Sequence, residues 1–385
     1  MSTSESQYIG PPLAEIYFYL TEGCNLRCRH CWIMEELESG PQSKAVLDLK
    51  LFESILEQAR PLGLRAVKLT GGEPFLHPRI DRLLEIIQAA QLRLVIETNG
   101  VLLTPALAGL VASCNQPFIS VSLDGVDAET HEWVRRVPGS YQAAVKGIGY
   151  LVEAGIRPQV IFSIMRKNRG QVEDIARLAQ KLGARSLKFN IIQPSPRGDR
   201  MREEEETLTL AEVVNLGHWV EHELALAINL PLVLGYPPAF SPLKRIIGTN
   251  GIRSSCGITG IIGVLANGSY ALCGIGSHIP ELVFGHASRD RLEDVWQTNP
   301  VLQEIREGLP QRLGGICQDC LLRSRCLGFC LAQNYYQSHN LWTPYWFCQQ
   351  AEEAGLFPHS RKRPTYLTGV LSRNPRKEIA AQENI

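Results

Sequence analysis

The chain has 385 residues, 44% hydrophobic and 20% charged, with 39 basic and 39 acidic side chains. That length and apolar share support a large core plus at least one smaller domain without disulfide staples. Zero net charge gives no reason to expect nucleic acid or an acidic membrane surface as a partner.

The N-terminal MSTSESQYIGPP is polar and lacks the charged-then-apolar order of a signal peptide. Residues 1–14 therefore read as a short leading segment. Strand and helix patterns then alternate. Glu15 to Leu20 has a β-type run, Asp48 to Arg60 helical spacing, Arg65 to Thr70 a strand, Arg79 to Gln91 a helix and Leu92 to Thr98 a strand. Thr104-Pro105 is an N-cap followed by proline at the first helical position. PFISVSL, Tyr141 to Ala154, RPQVIFSIM, Gly170 to Leu182 and RSLKFNII continue the series, and Thr209 with Glu212 forms a capping box. Six strand–helix units over 15–235 predict parallel strands with helical crossovers, too few for an eight-fold barrel and suited to an incomplete one.

The alternation breaks near Tyr236-Pro-Pro. Residues 236–358 hold a linker, a hairpin signal at Asn267-Gly268, a helix expected over Leu292 to Arg306, and a cysteine cluster. Residues 359–385 form a basic tail expected to be solvated and partly disordered. The best apolar run, Ala225 to Tyr236, is short and contains Asn229 and Pro231, so no bilayer span is expected. The reading is of a cytoplasmic protein, where eleven cysteines serve as metal ligands or catalysts sooner than as disulfides.

Cys24, Cys28 and Cys31 follow the first strand with Cys-x3-Cys-x2-Cys spacing. Three thiolates on one loop hold three irons of a 4Fe–4S cube and leave the fourth open for chemistry. A zinc site or unrelated core cysteines are the alternatives; zinc ordinarily takes four ligands in CxxC pairs, and His30 is poorly placed to be a fourth. Cys114, between a helix and an apolar strand, reads as a buried structural thiol.

With an aromatic residue before the third cysteine, this motif resembles the radical S-adenosylmethionine (radical SAM) superfamily. The resemblance covers roughly residues 15 to 235 and extends to Thr70-Gly-Gly-Glu-Pro74, Glu97-Thr-Asn-Gly100 and Ser122-Leu-Asp-Gly125, each at a strand's end. It implies a partial (β/α)6 TIM-like barrel in which S-adenosylmethionine chelates the open iron and is split to a 5′-deoxyadenosyl radical that takes hydrogen from substrate. It places His30 near the adenine, Gly71 and Gly72 against the methionyl group, and Glu73 under its ammonium. Asn99, Ser122 and Arg135 approach the ribose and methionyl carboxylate, and Ile192, after Ile191, packs a backbone edge on the adenine.

The later thiols resemble the SPASM extension of that superfamily, an α/β barrel's C-terminal iron–sulfur domain. The resemblance implies two auxiliary 4Fe–4S clusters, three in all: one on Cys256, Cys273 and Cys330, the other on Cys317, Cys320, Cys326 and Cys348. Seven thiols are one short of eight, which leaves the first auxiliary set with an open iron or a non-cysteine ligand.

SPASM enzymes mostly modify ribosomally made peptides, and the overall pattern is similar to maturases of precursors with Nif-type or nitrile-hydratase-type leaders. Among these are spliceases that excise tyramine and leave an α-keto-β-amino acid. A precursor peptide is thus the expected substrate. Only 23 residues precede Cys24, so a separate small leader-binding protein, or the SPASM surface, is expected to present the leader. An electron donor such as flavodoxin or ferredoxin completes the partners. A sulfatase-type maturase forming formylglycine and a small-molecule radical SAM oxidoreductase are the alternatives. No catalytic acid or base stands out, because several Asp, Glu, Tyr and Lys residues can face the barrel.

Overall fold

A period of two runs through the strands and decides which side chains meet. In the computed structural model, which describes residues 10–33, 44–247, 256–274 and 279–364, Ile16 and Phe18 of β1 (Glu15–Tyr19) are fully buried against helices. Tyr17 points the other way. The same alternation buries Val67 and Leu69 of β2 (Ala66–Thr70), Leu94 and Ile96 of β3 (Arg93–Thr98), and Leu187 and Phe189 of β6 (Ser186–Ile191). Lys68, Glu97 and Lys188 take the intervening, partly accessible positions on the opposite face.

With β4 (Asn115–Ser122) and β5 (Gln159–Ile164), these six strands pair in parallel and in sequence order. Helices cover the apolar face. They are α1 (Leu49–Ala59), α2 (Ile80–Ala89), α3 (Pro105–Ala112), α4 (Ala128–Arg135), α5 (Ser140–Glu153), α6 (Val172–Lys181), α7 (Pro196–Glu203) and α8 (Leu210–Trp219). The local signals hold. Asp48 caps α1, Thr104 accepts from Leu107 N with Pro105 inside the first turn, and Thr209 and Glu212 form the reciprocal capping box of α8. Phe18 meets Phe52 of α1 at 4.6 Å between ring centroids, and each ring buried this way stabilises the core by ~2–3 kcal/mol.

A seventh parallel strand, β7 (Leu232–Gly235), pairs with β6, inside the apolar run before the domain break. On the opposite edge, β8 (Ile261–Val264) pairs in parallel with β1. It occupies the edge of β1 that a closed barrel would give to its last strand. β8 turns through Asn267-Gly268 into β9 (Ser269–Ala271), and β10 (Val283–His286) completes one ten-stranded sheet ordered β10-β9-β8-β1-β2-β3-β4-β5-β6-β7. The cysteine domain is therefore continuous with the barrel sheet. The helix expected over Leu292 to Arg306 is two, Leu292–Thr298 and Pro300–Gly308. Asn299 accepts from Val301 N and Leu302 N, and Pro300 cannot donate to the preceding turn. Residues 359–364 pack back onto this domain: Lys362 bridges to Cys320, and Arg361 Nη2 donates to Ser241 O at 3.0 Å. The remainder of the basic tail lies outside the described residues. Among the described residues no helix is long and apolar enough to cross a membrane.

Candidate active site at the carboxyl ends of the strands

β1 delivers Cys24, Cys28 and Cys31 on one loop, and β2 ends in Gly71-Gly72-Glu73 directly beneath it. Gly72 N donates to Thr21 O at 2.7 Å and Glu73 N to Gly23 O at 2.8 Å. A Cβ on Gly72 would lie 2.1 Å from Gly23 O, and one on Gly71, at φ +122°, 2.8 Å from Thr21 O. The glycines are thus needed for the cysteine loop to lie on the second strand's turn.

Glu73 is buried. It accepts from Thr98 Oγ1 at 2.7 Å, Asn99 N at 2.9 Å and Phe75 N at 3.2 Å. Burial pushes its carboxyl up to about 7 against those donors. Asn99, just past β3, reaches across the loop to Asn25 Oδ1 at 2.8 Å and faces Cys24 Sγ at 3.9 Å.

Arg135 closes the far side. Its Nη1 donates to Cys28 Sγ at 3.3 Å and its Nη2 to Asp124 Oδ2 at 2.6 Å. Asp124 is fully buried and also accepts from Ser163 N at 2.7 Å. Burial works to raise its carboxyl, but Arg135, His30 and the Ser163 amide hold it below the usual range. Arg197, at the start of α7, donates to Cys28 O at 2.7 Å. Burial lowers the His30 imidazole to about 4, with Asp124 opposing and Arg135 and Arg197 adding to the shift; its Nδ1 is buried without a hydrogen-bond partner among the described residues. Ser122 ends β4. Ile192 follows β6 and packs with Val134, Met165 and Met201. Every residue singled out for S-adenosylmethionine thus lies at the carboxyl end of a strand or on the helix that follows it.

The later thiols fall into two neighbourhoods. Cys256 is raised to about 12 by burial and by Cys273 beside it, and Cys330 is raised by burial and by both of them. Cys317, Cys320, Cys326 and Cys348 line one pocket together with Tyr345 and Phe357. Burial raises Cys317 to about 11 and Cys326 to about 12. Tyr345, fully buried, feels Cys330 of one set and Cys348 and Cys326 of the other. Its hydroxyl lies 2.9 Å from Gln193 Oε1, next to Ile192. Sequence reasoning passed over Asp124, Arg197 and Tyr345. Asp124 stood inside a quoted motif, whereas the other two act across long separations that leave no local pattern.

The donor sets fit iron–sulfur clusters. None of the eleven cysteines forms a disulfide. Among the described residues no three His, Cys, Asp or Glu converge as a single ion requires. Cys317, Cys320, Cys326 and Cys348 line one pocket, as four thiols around a multi-iron cube would. The first loop offers three thiols beside a guanidinium, and Glu73 and Asn99 next to it suit an amino-acid head group. Cys114, by contrast, is buried and donates to Leu110 O at 3.5 Å, away from all three sets.

Residues 18–192 match the radical SAM superfamily, and residues 256–321 match the SPASM iron–sulfur cluster-binding domain. The chain is 27% identical over 334 residues to an AdoMet-dependent heme synthase of Methanosarcina barkeri (strain Fusaro), covering 83% of this chain and 91% of that protein. It is 28% identical over 347 residues to mycofactocin maturase MftC of Mycobacterium ulcerans (strain Agy99), covering 90% of each. Its fold superposes on Streptococcus suis SuiB, solved bound to precursor peptide SuiA, with a TM-score of 0.67 at 20% identity, over 88% of this chain and 76% of that one.

Proposed function

The chain is a radical SAM/SPASM enzyme, and from that premise we propose that it modifies a ribosomally synthesised precursor peptide after abstracting a hydrogen from it. The observation that carries this reading is the match to mycofactocin maturase over 90% of both chains, which spans barrel and cysteine domain together. Cys24, Cys28 and Cys31 would hold the first cluster, Cys256, Cys273 and Cys330 the second, and Cys317, Cys320, Cys326 and Cys348 the third. The first cluster with S-adenosylmethionine supplies the one-electron cleavage from which the hydrogen-abstracting species comes.

The chain's own residues prepare that chemistry. Arg135 keeps a fixed positive charge on Cys28 and is itself held by Asp124, so the thiolate's neighbour does not reorient. Glu73, raised to about 7 by burial in spite of its hydrogen-bond donors and the charge of Arg135, is poised to ionise against an ammonium. His30, held neutral by burial, presents an uncharged face to a base ring. Tyr345 ties Gln193, at the end of the barrel, to the partition between the two auxiliary sets. Delivery of the precursor by a separate small leader-binding protein, and reduction by a flavodoxin or ferredoxin, belong to the same reading. The narrower outcome, excision of tyramine, rests on the motif resemblance alone.

Coexpression with a candidate precursor, with Cys28→Ala as control and a parallel culture in deuterated water, tests the proposal by mass spectrometry. A Cys28-dependent mass change supports it, and its size separates excision from loss of two hydrogens; deuterium uptake alone reports epimerisation. A second reading, a small-molecule substrate, is favoured by the match to heme synthase over 91% of that protein. It gains if S-adenosylmethionine is cleaved while every precursor leaves unchanged in both cultures.

A further inference from the structure

Apolar side chains gather on the surface above the outer thiol set. Among the described residues seven large apolar side chains are exposed, and three of them meet here: Leu243 at 55%, Ile247 at 73% and Leu321 at 53%. Leu243 and Ile247 stand one turn apart on the short helix Leu243–Ile247, whose Ile246 is buried. Leu321 directly follows Cys320. Hydrogen bonds join the segments into one surface. Arg325 Nη1 donates to Ile246 O at 2.9 Å, Arg361 Nη2 to Ser241 O at 3.0 Å, and Leu321 N to Arg361 O at 2.8 Å. Beneath them lies the pocket of Cys317, Cys320, Cys326 and Cys348, walled also by Ala239, Leu322 and Arg323.

The rim of this surface is basic. Residues 241–247, 319–326 and 359–364 carry seven Lys and Arg and a single carboxylate, Asp319. Neighbouring helices neutralise two of the cations, since Glu221 pairs with Arg245 and Glu352 with Lys362. With Glu223 and Glu353 counted as well, the surface remains net positive. Lys244, Arg325 and Arg363 are exposed. An apolar centre inside a cationic rim suits a brief encounter with an acidic protein: the rim steers the approach and the centre excludes water. Leu321 and Arg325 are chain neighbours of Cys320 and Cys326, so a partner seated there stands one residue from two outer ligands.

We propose that this surface docks the acidic one-electron carrier protein that reduces the enzyme, and that the electron enters at the outer thiol set. The proposal rests on the reading of these four thiols as the ligands of a 4Fe–4S cluster and of the partner as a flavin or iron–sulfur carrier. One electron leaves the reduced carrier and is taken up by the outer cluster; no bond forms or breaks.

The test uses the full chain with its clusters reconstituted and, as probe, an acidic flavodoxin. Calorimetry with the oxidised probe reads binding. Rapid-freeze electron paramagnetic resonance with its hydroquinone reads which cluster fills first, and how fast. Lys244→Glu with Arg363→Glu removes no side-chain hydrogen bond among the described residues. It should slow reduction by about tenfold at low salt, a difference that closes at high salt. Leu243→Ser with Ile247→Ser should weaken binding at every salt concentration. Arg136→Glu with Arg200→Glu, beside the first cysteine loop, should leave both readings at their wild-type values. Photoreduced deazaflavin, which needs no docking surface, should reduce all variants alike. Wild-type binding and rates in both surface variants overturn the proposal, as does a loss confined to the Arg136 and Arg200 variant or a signal that rises first at the first cluster. Weakened binding of precursor peptide, with flavodoxin unaffected, would make the surface a peptide dock and overturn it too. Calorimetric binding needs neither turnover nor a filled outer set, so failure of peptide maturation or of the cluster reading is told apart from failure of the docking surface.

Discussion

Arg135 places one guanidinium nitrogen 3.3 Å from Cys28 Sγ and the other 2.6 Å from Asp124 Oδ2. The carboxylate is fully buried and the arginine nearly so. Removing one partner of a buried pair strands the other charge, at a cost of ~3–5 kcal/mol. Asp124→Ala should therefore lower stability by that amount in urea unfolding. Asp124→Asn with Arg135→Gln should recover part of it, because no charge is left buried. The double variant should still lose occupancy of the first cluster, read as lowered absorbance near the iron–sulfur charge-transfer bands. If Asp124→Ala unfolds like the wild type, the pair is not the brace the geometry describes.

Glu73 gives a pH dependence with a definite sign. Burial raises its carboxyl from the model-peptide value to about 7, so the proton is held until neutrality. An ammonium is bound by the ionised form. S-adenosylmethionine affinity should therefore rise with pH up to about 7, by about tenfold per unit where Glu73 limits binding, and level off above. Glu73→Gln should bind weakly with a flat profile. Calorimetric titration of the reconstituted protein between pH 6 and 8.5 reads both; a flat wild-type profile would remove Glu73 from the ammonium site.

The sequence made the strand ends legible because each carries a local signal. Three thiols, a glycine pair before Glu73, and Asn267-Gly268 all act within a few residues of themselves. Pro300 carried a helix-breaking signal that the helical spacing of Leu292 to Arg306 masked. β7 was hidden because four apolar residues after Pro231 read equally as linker or strand, and only pairing with β6 decides. Arg197 and Tyr345 were beyond reach for another reason. Each is defined by a partner far along the chain, Cys28 for Arg197 and Gln193 for Tyr345, and no period in the sequence encodes such a meeting.

The glycines of the second turn separate packing from chain entropy. Gly72→Ala would set a methyl 2.1 Å from the Gly23 carbonyl oxygen. Backbone cannot yield as a side-chain tip can, so the loss should reach or exceed the ~1–3 kcal/mol of ordinary overpacking and displace the Cys24 loop. Gly109, exposed in α3, has no atom within 4 Å of a built Cβ. Gly109→Ala should stabilise by ~0.5–1 kcal/mol through the unfolded chain. Thermal unfolding of the two variants side by side should move in opposite directions. A destabilised Gly109→Ala would contradict the open space around it.

The cysteine geometry makes a stoichiometric prediction. Three separate thiol sets, each filled by a 4Fe–4S cube, give about 12 irons per chain. The sets do not share a ligand, so they should be lost independently. Cys24→Ala with Cys28→Ala and Cys31→Ala should remove about four irons and leave the auxiliary clusters. Cys317→Ala with Cys320→Ala should remove about four others. Tyr345 complicates the second case, since its backbone N–H donates to Cys317 and its hydroxyl feels the charge of Cys330. Loss of the outer set should therefore broaden the electron paramagnetic resonance signal of the inner one while sparing that of the first. Iron and acid-labile sulfide assays on anaerobically reconstituted protein count the clusters, and zinc measured in the same samples tests the competing metal. Zinc at one or two per chain in place of iron would mean that the later thiols hold single ions.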